Sequence, residues 1–457
     1  MSAQPGTCLR PAFELRLARG RAYIVRRADR QLVSALSPTE AVLVGLLDGH
    51  RSWEEVTLHF LEGFGEEVRP AMRYAFERLG PVLHNGVSSG HPYSLGQLGS
   101  VAPPDPREGI RLLPGPRVLH WHVTQYCPRR CAYCYAEPIH GSRAPDATIS
   151  LERLRVLFSE AAELGANTLL VSGAEPFLRE DLPEAIGLAI AAGLAILLTT
   201  KFPVTPDIAE RLAQAGLRHL AFSIDSLDSD ENATLIGSRS YASQMLKAVR
   251  NLRSVGVEFS IQSVVTLHNL SSMDAVARFA ADEGARVMQL VPFKDVRNPI
   301  TSLSNSDLRL DDNSVVNEIC DRLSRAHRDL KIERFVEASN SGGFHCDIGQ
   351  TKLLMLPDGV VHRCYKLTSD ASLRGADLKQ VSLARAWHDP AFVDITLPPA
   401  RAYAQTVCGS CGSKPNCDTS GRCIYDALIN HGRYASPDRN CAGRARLRRP
   451  TITIRAI

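Results

Sequence analysis

Three cysteines lie close together in the sequence Cys127-Pro-Arg-Arg-Cys131-Ala-Tyr-Cys134. Thiolates at this spacing can each ligate one iron of a cubane iron–sulfur cluster, and the missing fourth ligand leaves one iron open. A structural zinc ion is the alternative, but zinc takes four ligands and no fourth Cys or His stands at finger spacing. His120 and His122 lie upstream on a predicted strand. The motif therefore predicts a redox cluster with an open site.

A second group of cysteines lies toward the C-terminus, whereas Cys8 and Cys320 stand apart. Its members are Cys346, Cys364, Cys408, Cys411, Cys417, Cys423 and Cys441. Two cubanes with about four cysteine ligands each would need one thiolate more than this group offers. Zinc ribbons would need the same number and are the alternative. Because disulfides are rare in a reducing compartment, the cysteines favour metal clusters.

Six short apolar runs alternate with helical patterns between Val118 and Phe293, which predicts an α/β fold with a parallel sheet. The predicted strands are residues 119–124, 168–172, 195–199, 220–224, 259–265 and 287–291. Ligands bind where the carboxyl ends of parallel strands meet. The three-cysteine motif and two polar motifs follow predicted strands, so we expect the site at that edge.

The order of these motifs resembles the radical SAM superfamily. The resemblance implies a partial (β/α)6 barrel over residues 116–300. It implies that Cys127, Cys131 and Cys134 hold a catalytic [4Fe-4S] cluster. The open iron would bind S-adenosylmethionine (SAM), whose cleavage gives a 5′-deoxyadenosyl radical.

The same resemblance assigns the polar motifs to SAM. The SAM amino group would be held by Gly173, Ala174, Glu175 and Pro176, where Ala174 replaces a usual glycine. Ser223 and Asp225 would bind the ribose hydroxyls, and the Tyr133 backbone would face adenine.

Two positions depart from the family pattern. Relatives often carry an arginine after the ribose strand that pairs with the SAM carboxylate, and Arg239 is the nearest candidate. A solvated loop arginine is the alternative. Lys201 stands where relatives often have Thr-Asn-Gly, so it either meets SAM or substrate or is an exposed residue at a strand end.

The C-terminal cysteines, from residue 342 to 445, resemble a SPASM domain. The resemblance implies one auxiliary [4Fe-4S] cluster on Cys408, Cys411, Cys417 and Cys441. Cys346, Cys364 and Cys423 would hold a second cluster with an open iron, or with His345, Asp347 or Cys320 as fourth ligand. Spacing around Cys423 departs from the family pattern. Tyr365 is a candidate proton acceptor or redox relay, and a tyrosine packed beside a cluster is the alternative.

Residues 1–80 read as three strands followed by three helices, with capping boxes at Ser37–Glu40 and Ser52–Glu55. This pattern resembles the RiPP recognition element, a winged-helix-like module similar to the peptide chaperone of pyrroloquinoline quinone biosynthesis. Such a module would bind a leader peptide as an added strand. A DNA-binding winged helix or a structural cap is the alternative.

The remaining segments are a linker over 81–115, a helical bridge over 301–341 and a basic tail over 446–457. The net charge of +4 is small and does not by itself argue for nucleic acid or membrane partners, and we expect neither. No signal peptide and no apolar run of ~20 residues is present, so we expect a cytoplasmic protein.

Together the three resemblances imply an oxidoreductase that installs a thioether or carbon–carbon crosslink in a ribosomally made precursor peptide. An external donor such as flavodoxin or ferredoxin would supply electrons. The alternatives are a peptide epimerase, a sulfatase-type Ser/Cys oxidase, a haem-pathway decarboxylase, and an Fe–S winged-helix regulator. A DNA-binding regulator would need a recognition helix rich in Arg and Lys, but the third predicted helix offers only Arg73 and Arg78, which argues against the regulator.

Overall fold

A computed structural model gives the fold. It describes residues 7–18, 21–27, 32–66, 69, 72, 75, 76, 79–87, 91, 93–101, 115–136, 138–140, 149–296, 301–310, 314–334, 346–396, 398, 400–411, 423–438 and 441.

The N-terminal unit contains a three-stranded antiparallel sheet followed by two helices. Its sheet has the order β2-β3-β4. Both predicted capping boxes are confirmed at the starts of the two helices. The elements of this unit are β1 (Thr7–Leu9), β2 (Phe13–Ala18), β3 (Arg21–Arg26), β4 (Leu32–Leu36), α1 (Pro38–Leu46) and α2 (Trp53–Phe64).

The third predicted helix is only partly described. Met72, Phe76 and Leu79 are helical, and Met72 and Leu79 are buried in the N-terminal core. Val68 lies outside the described residues.

We predicted a linker over residues 81–115, but residues 81–101 contain a strand and a helix. Strand β5 (Leu83–Asn85) pairs antiparallel with β1. A short helix, α3 (Leu95–Gly99), follows, and its Leu98 is buried in the N-terminal core together with Val101. The N-terminal unit therefore extends to Val101, because strand pairing and apolar burial outweigh the turn-rich composition.

A ten-stranded sheet forms the centre of the molecule, with the order β14-β13-β12-β11-β10-β9-β6-β15-β16-β17. All six predicted strands lie in it as parallel neighbours in chain order, and each of their bounds is within two residues of the predicted one. They are β6 (Val118–His122), β9 (Thr168–Ser172), β10 (Ala195–Thr200), β11 (His219–Ser223), β12 (Glu258–Val265) and β13 (Val287–Pro292). The two-stranded pair β7 (Tyr126–Cys127) and β8 (Ile139–His140) lies apart from this sheet.

Helices connect successive strands and cover the sheet. They are α4 (Leu151–Glu163), α5 (Leu182–Ala191), α6 (Pro206–Gln214), α7 (Ser229–Leu235), α8 (Tyr241–Ser254) and α9 (Met273–Asp282). Gly193, with a φ of 88°, ends the run after α5, because a residue with a side chain rarely adopts this angle.

The segment 301–341 is not purely a helical bridge. After α10 (Asn305–Leu308) and α11 (Ser314–Ala326), strand β14 (Lys331–Arg334) pairs parallel with β13. The sheet therefore continues past the predicted end of the core.

The C-terminal region is also part of the main sheet. Strand β15 (Lys352–Met355) pairs parallel with β6, and β16 (Val360–His362) and β17 (Arg374–Asp377) follow antiparallel. Leu353, Val361 and Trp387 are fully buried in the main core. Residues 352–392 therefore pack apolar side chains into the main core.

The remaining helices are α12 (Leu383–Trp387), α13 (Pro390–Thr396), α14 (Ala400–Tyr403) and α15 (Ile424–His431). Within the part of the chain that the structure describes, no helix is long and apolar enough to cross a membrane.

Candidate SAM and cluster site

The three-cysteine loop follows β6 at the carboxyl end of the sheet. Cys127, Cys131 and Cys134 are free thiols, and Cys131 is buried. Burial raises the pKa of all three thiols, that of Cys127 to about 12, and neighbouring cysteines contribute at Cys127 and Cys131. A thiol kept neutral by burial becomes a thiolate on binding a metal cation. The loop therefore gathers three thiols that could bind a metal cluster as thiolates.

This donor set suits a cubane iron–sulfur cluster. Among the described residues, no three His, Cys, Asp or Glu side chains converge on one metal position. In a cubane each thiolate binds a different iron, so the sulfur atoms stay apart. Soft thiolate ligands also favour an iron–sulfur cluster over a hard cation.

Gly173 brings the loop after β9 against the strand that leads to the cysteines. Its φ is +125°, and a Cβ there would lie 2.7 Å from the Thr124 carbonyl oxygen. The next two amide groups donate to Thr124 and Tyr126, at 2.9 and 3.0 Å. Only glycine fits this close approach. Ala174 is accommodated one residue later, and Pro176 begins a buried 3-10 turn.

Glu175 is a buried carboxylate at the centre of the site. It accepts hydrogen bonds from Thr200 Oγ1 at 2.7 Å, the Lys201 amide at 3.2 Å and the Phe177 amide at 3.3 Å. Burial raises its pKa, whereas these hydrogen bonds oppose the shift. A buried carboxylate with amide and hydroxyl donors is suited to receive an ammonium group.

Ser223 and Asp225 lie at the end of β11, and Lys201 at the end of β10 joins them. The Lys201 ammonium donates to Ser223 Oγ and, at 2.8 Å, to Asp225 Oδ2. The Tyr133 hydroxyl also donates to Asp225 Oδ2, and the Val264 amide donates to Oδ1 at 2.7 Å. Asp225 is therefore a fully buried acceptor shared by three strands and the cysteine loop.

Lys201 is not the exposed strand-end residue that we gave as the alternative. Its side chain is 15% exposed, and its ammonium lies 5.4 Å from the Tyr133 ring centre and 5.6 Å from that of Tyr241. Burial disfavours its charged form, but the Asp225 carboxylate outweighs that effect and the pKa is raised. Lys201 is thus a charged member of the site.

Arg239 lies away from these groups. Its side chain is 70% exposed and forms an ion pair with the exposed Asp230. The structure therefore corrects its prediction as a site residue and agrees with the loop alternative. Sequence reasoning missed Arg129, whose position between two cysteine ligands was the available signal.

Three of the C-terminal cysteines come together. Burial raises the pKa of Cys423 to about 12, and the charges of Cys346 and Cys364 add to the shift. Cys346 Sγ accepts from Arg363 Nη1 at 3.0 Å, and Cys423 Sγ accepts from the Asp426 amide at 3.4 Å, at the start of α15. A cation and a helix N-terminus both favour thiolates.

The other members of the second group are less completely described. Cys408 is buried, and the Cys411 amide donates to its carbonyl at 3.3 Å. Cys417 and His345 lie outside the described residues. Asp347 pairs with Lys352 at 3.0 Å, and Cys320 packs on the main core, where its thiol points to the Ile332 carbonyl. Cys320 therefore does not join the cluster residues.

Tyr365 lies between the two cysteine groups. Its ring centre is 5.2 Å from that of Tyr135, which follows Cys134, and 5.9 Å from that of His120. The Lys366 ammonium lies 5.0 to 5.9 Å from the rings of Tyr135, Tyr365 and Tyr425. Aromatic side chains thus lie between Cys134 of the first cysteine group and Cys364 of the second.

Fold and site together define the class. Residues 121–280 match the model of the Radical SAM superfamily. This part of the chain is a radical SAM domain, and the family implies SAM and a [4Fe-4S] cluster.

Three relatives illustrate the likeness. Mycofactocin maturase MftC of Mycobacterium tuberculosis is 25% identical over 345 residues, covering 72% of this chain and 84% of the relative. PqqA peptide cyclase of Granulibacter bethesdensis is 33% identical over 172 residues, 37% of this chain and 45% of the relative. AdoMet-dependent heme synthase of Methanosarcina barkeri is 28% identical over 187 residues, 40% of this chain and 53% of the relative.

Among solved structures, Streptococcus suis SuiB has a similar fold, with a TM-score of 0.58 and 17% identity over 95% of this chain and 99% of SuiB. SuiB bound to precursor peptide SuiA aligns with a TM-score of 0.56 and 16% identity, over 95% of this chain and all of that chain. The shared architecture extends beyond the matched domain to nearly the whole chain.

Proposed function

We propose that this protein is a radical SAM oxidoreductase that modifies a ribosomally made precursor peptide by installing a thioether or carbon–carbon crosslink. The observation that carries the proposal is the grouping of three free thiols, buried Glu175 and the Ser223–Asp225 pair at the carboxyl ends of parallel strands. The relative that aligns over most of its own length, MftC, is a maturase.

Bound together, a reduced [4Fe-4S] cluster and SAM supply a 5′-deoxyadenosyl radical that removes a hydrogen atom from the peptide. Cys127, Cys131 and Cys134 hold the cluster, and Glu175 accepts from the SAM amino group. Ser223 and Asp225 accept from the ribose hydroxyls. Both side chains also accept from the Lys201 ammonium.

The C-terminal cysteines hold two auxiliary clusters. Cys346, Cys364 and Cys423 bind one, and their mutual influence on thiol pKa values supports this set. Cys408, Cys411, Cys417 and Cys441 bind the other. Closing the crosslink after hydrogen abstraction releases one proton to solvent and one electron, and these cysteines would hold the cluster that takes up the electron. The position of Tyr365 between the cysteine groups suits a redox relay on that route.

The N-terminal unit captures the leader peptide. In the three-stranded sheet, β2 and β4 are the outer strands, and an added strand satisfies the backbone groups of such an edge. A flavodoxin or ferredoxin supplies the electrons. We expect these reactions in the cytoplasm.

Epimerisation, sulfatase-type oxidation and haem-pathway decarboxylation use the same radical core. The heme synthase relative gives the last of these support, but it aligns over 53% of its length, against 84% for the maturase. A peptide substrate is therefore the better conclusion.

The test uses a candidate precursor encoded by a small open reading frame beside the gene, incubated with reconstituted enzyme, SAM and reductant. A crosslink removes two hydrogen atoms and leaves a joined pair of residues in the fragment spectrum. Deuterium gained from heavy water without oxidation would indicate an epimerase. No change in any leader-containing peptide, with SAM cleavage intact, would overturn the peptide assignment.

A further inference from the structure

Arg129 lies in the loop between two cluster ligands, and its guanidinium is held from several sides. Nη2 donates to Gln244 Oε1 at 2.6 Å and to the Lys201 carbonyl oxygen at 3.4 Å. The guanidinium carbon lies 5.0 Å from the centre of the Tyr241 ring. The charge is therefore fixed in place by neutral groups before any ligand arrives.

One hydrogen-bond donor of this guanidinium is unused. Its Nε is buried and donates to no group, and among the described residues no carboxylate forms an ion pair with it. A fixed guanidinium with an unused donor is a binding element for a carboxylate or phosphate. Arg153 and Arg179, which are also partly or fully buried, each have a carboxylate partner.

The surroundings of Arg129 indicate which anion it binds. Its backbone amide donates to Cys127 Sγ at 3.3 Å. Its guanidinium also donates to the Lys201 carbonyl oxygen, and the Lys201 amide donates to Glu175 at 3.2 Å. Arg129 is thus close to a cluster ligand and to the proposed acceptor of the SAM amino group. In an α-amino acid the carboxylate is attached to the carbon that bears the amino group.

We infer that Arg129 binds the carboxylate of SAM, in the role for which Arg239 was predicted. The inference rests on the proposed SAM site. Unlike the exposed Arg239, Arg129 reaches the site from the cysteine loop itself. Folding of the loop around its cluster and formation of the anion site are therefore coupled.

The experiment measures binding of two probes, SAM and decarboxylated SAM, to anaerobically reconstituted holoenzyme by equilibrium dialysis, without turnover. We expect Arg129→Gln to weaken SAM binding about 10- to 100-fold, because a charge-assisted contact is lost. Binding of decarboxylated SAM should change less than about threefold, within the scatter of surface substitutions. Arg129→Lys keeps the charge and should restore part of the SAM affinity.

Arg130→Gln is the matched control in the same loop, because Arg130 is exposed, and Arg239→Gln tests the earlier assignment. Both should leave the two affinities unchanged. Equal weakening of both probes by Arg129→Gln would overturn the inference, as would a SAM-selective loss in Arg239→Gln. If the wild-type holoenzyme binds no SAM, the proposed function itself fails.

Discussion

At the scale of single residues, the site depends on buried charges that are each satisfied by named partners. Glu175 accepts three hydrogen bonds, and Asp225 accepts from Lys201, Tyr133 and Val264. Removing one of these side chains leaves the charge or hydrogen-bonding group of its partner unpaired in a low-dielectric site. These residues therefore link SAM binding to the stability of the strand ends.

Glu175→Gln keeps the shape of the side chain and removes its charge. We expect SAM affinity to fall about 10- to 100-fold, because a hydrogen bond to an ionised group becomes a neutral one. Equilibrium dialysis with SAM checks this result. Glu180→Gln, on the exposed residue nearby, should have no effect. Unchanged SAM affinity in Glu175→Gln would exclude Glu175 as the amino-group acceptor.

Lys201→Met leaves the fully buried Asp225 without its cation. We expect a loss of about 3 kcal/mol in unfolding free energy, typical of breaking a buried ion pair, seen as a lower urea midpoint of the cluster-free protein. The double variant Lys201→Met/Asp225→Asn removes both charges and should recover most of that loss. A single variant as stable as wild type would mean that the pair is not formed in solution.

At the scale of elements, a close backbone approach sets the distance between the β9 loop and the cysteine loop. Gly173→Ala places a Cβ 2.5 Å from the His122 ring and 2.7 Å from the Thr124 carbonyl. We expect the variant to lose most of its cluster after reconstitution, measured as iron and sulfide per chain. Gly193→Ala is the control, since its φ is also positive but nothing lies within 4 Å. Equal iron content in both variants would contradict this account.

The strands and the order of motifs could be predicted from sequence, because alternating apolar runs and strand-end polar residues are local signals. The pairing of β1 with β5, and of β15 with β6, could not, since these contacts join distant segments. For the same reason, two alternatives were left open for Lys201, and Arg129 was missed. Their partners, Asp225 and Gln244, come from other strands or helices.

At the scale of the whole molecule, the C-terminal region joins two kinds of stabilisation. Residues 352–392 share the main sheet and core, whereas the cysteines at 408, 411, 423 and 441 lie beyond that core. The first part should fold without metal and the second should depend on its clusters.

Removal of iron by a chelator should therefore raise amide hydrogen exchange in residues 400–441 and leave β15–β17 protected. Hydrogen exchange with mass spectrometry of holo and chelated protein measures both segments in one sample. The helix Tyr241–Ser254 serves as an internal reference. Loss of protection across β15–β17 on chelation would show that the clusters, and not the sheet, hold that region.

The central claim is that the Cys127, Cys131 and Cys134 cluster cleaves SAM within a chain that carries three clusters. The most direct measurement is iron and sulfide content of anaerobically reconstituted protein, with dithionite-driven 5′-deoxyadenosine formation in the same sample. We predict about twelve irons per chain in wild type and about eight in the triple Cys→Ala variant, at about four per cubane, with 5′-deoxyadenosine formed only by wild type. Four irons per chain together with zinc would mean that the C-terminal cysteines bind zinc and carry no auxiliary clusters. A wild-type protein that holds no cluster and does not cleave SAM would contradict the claim.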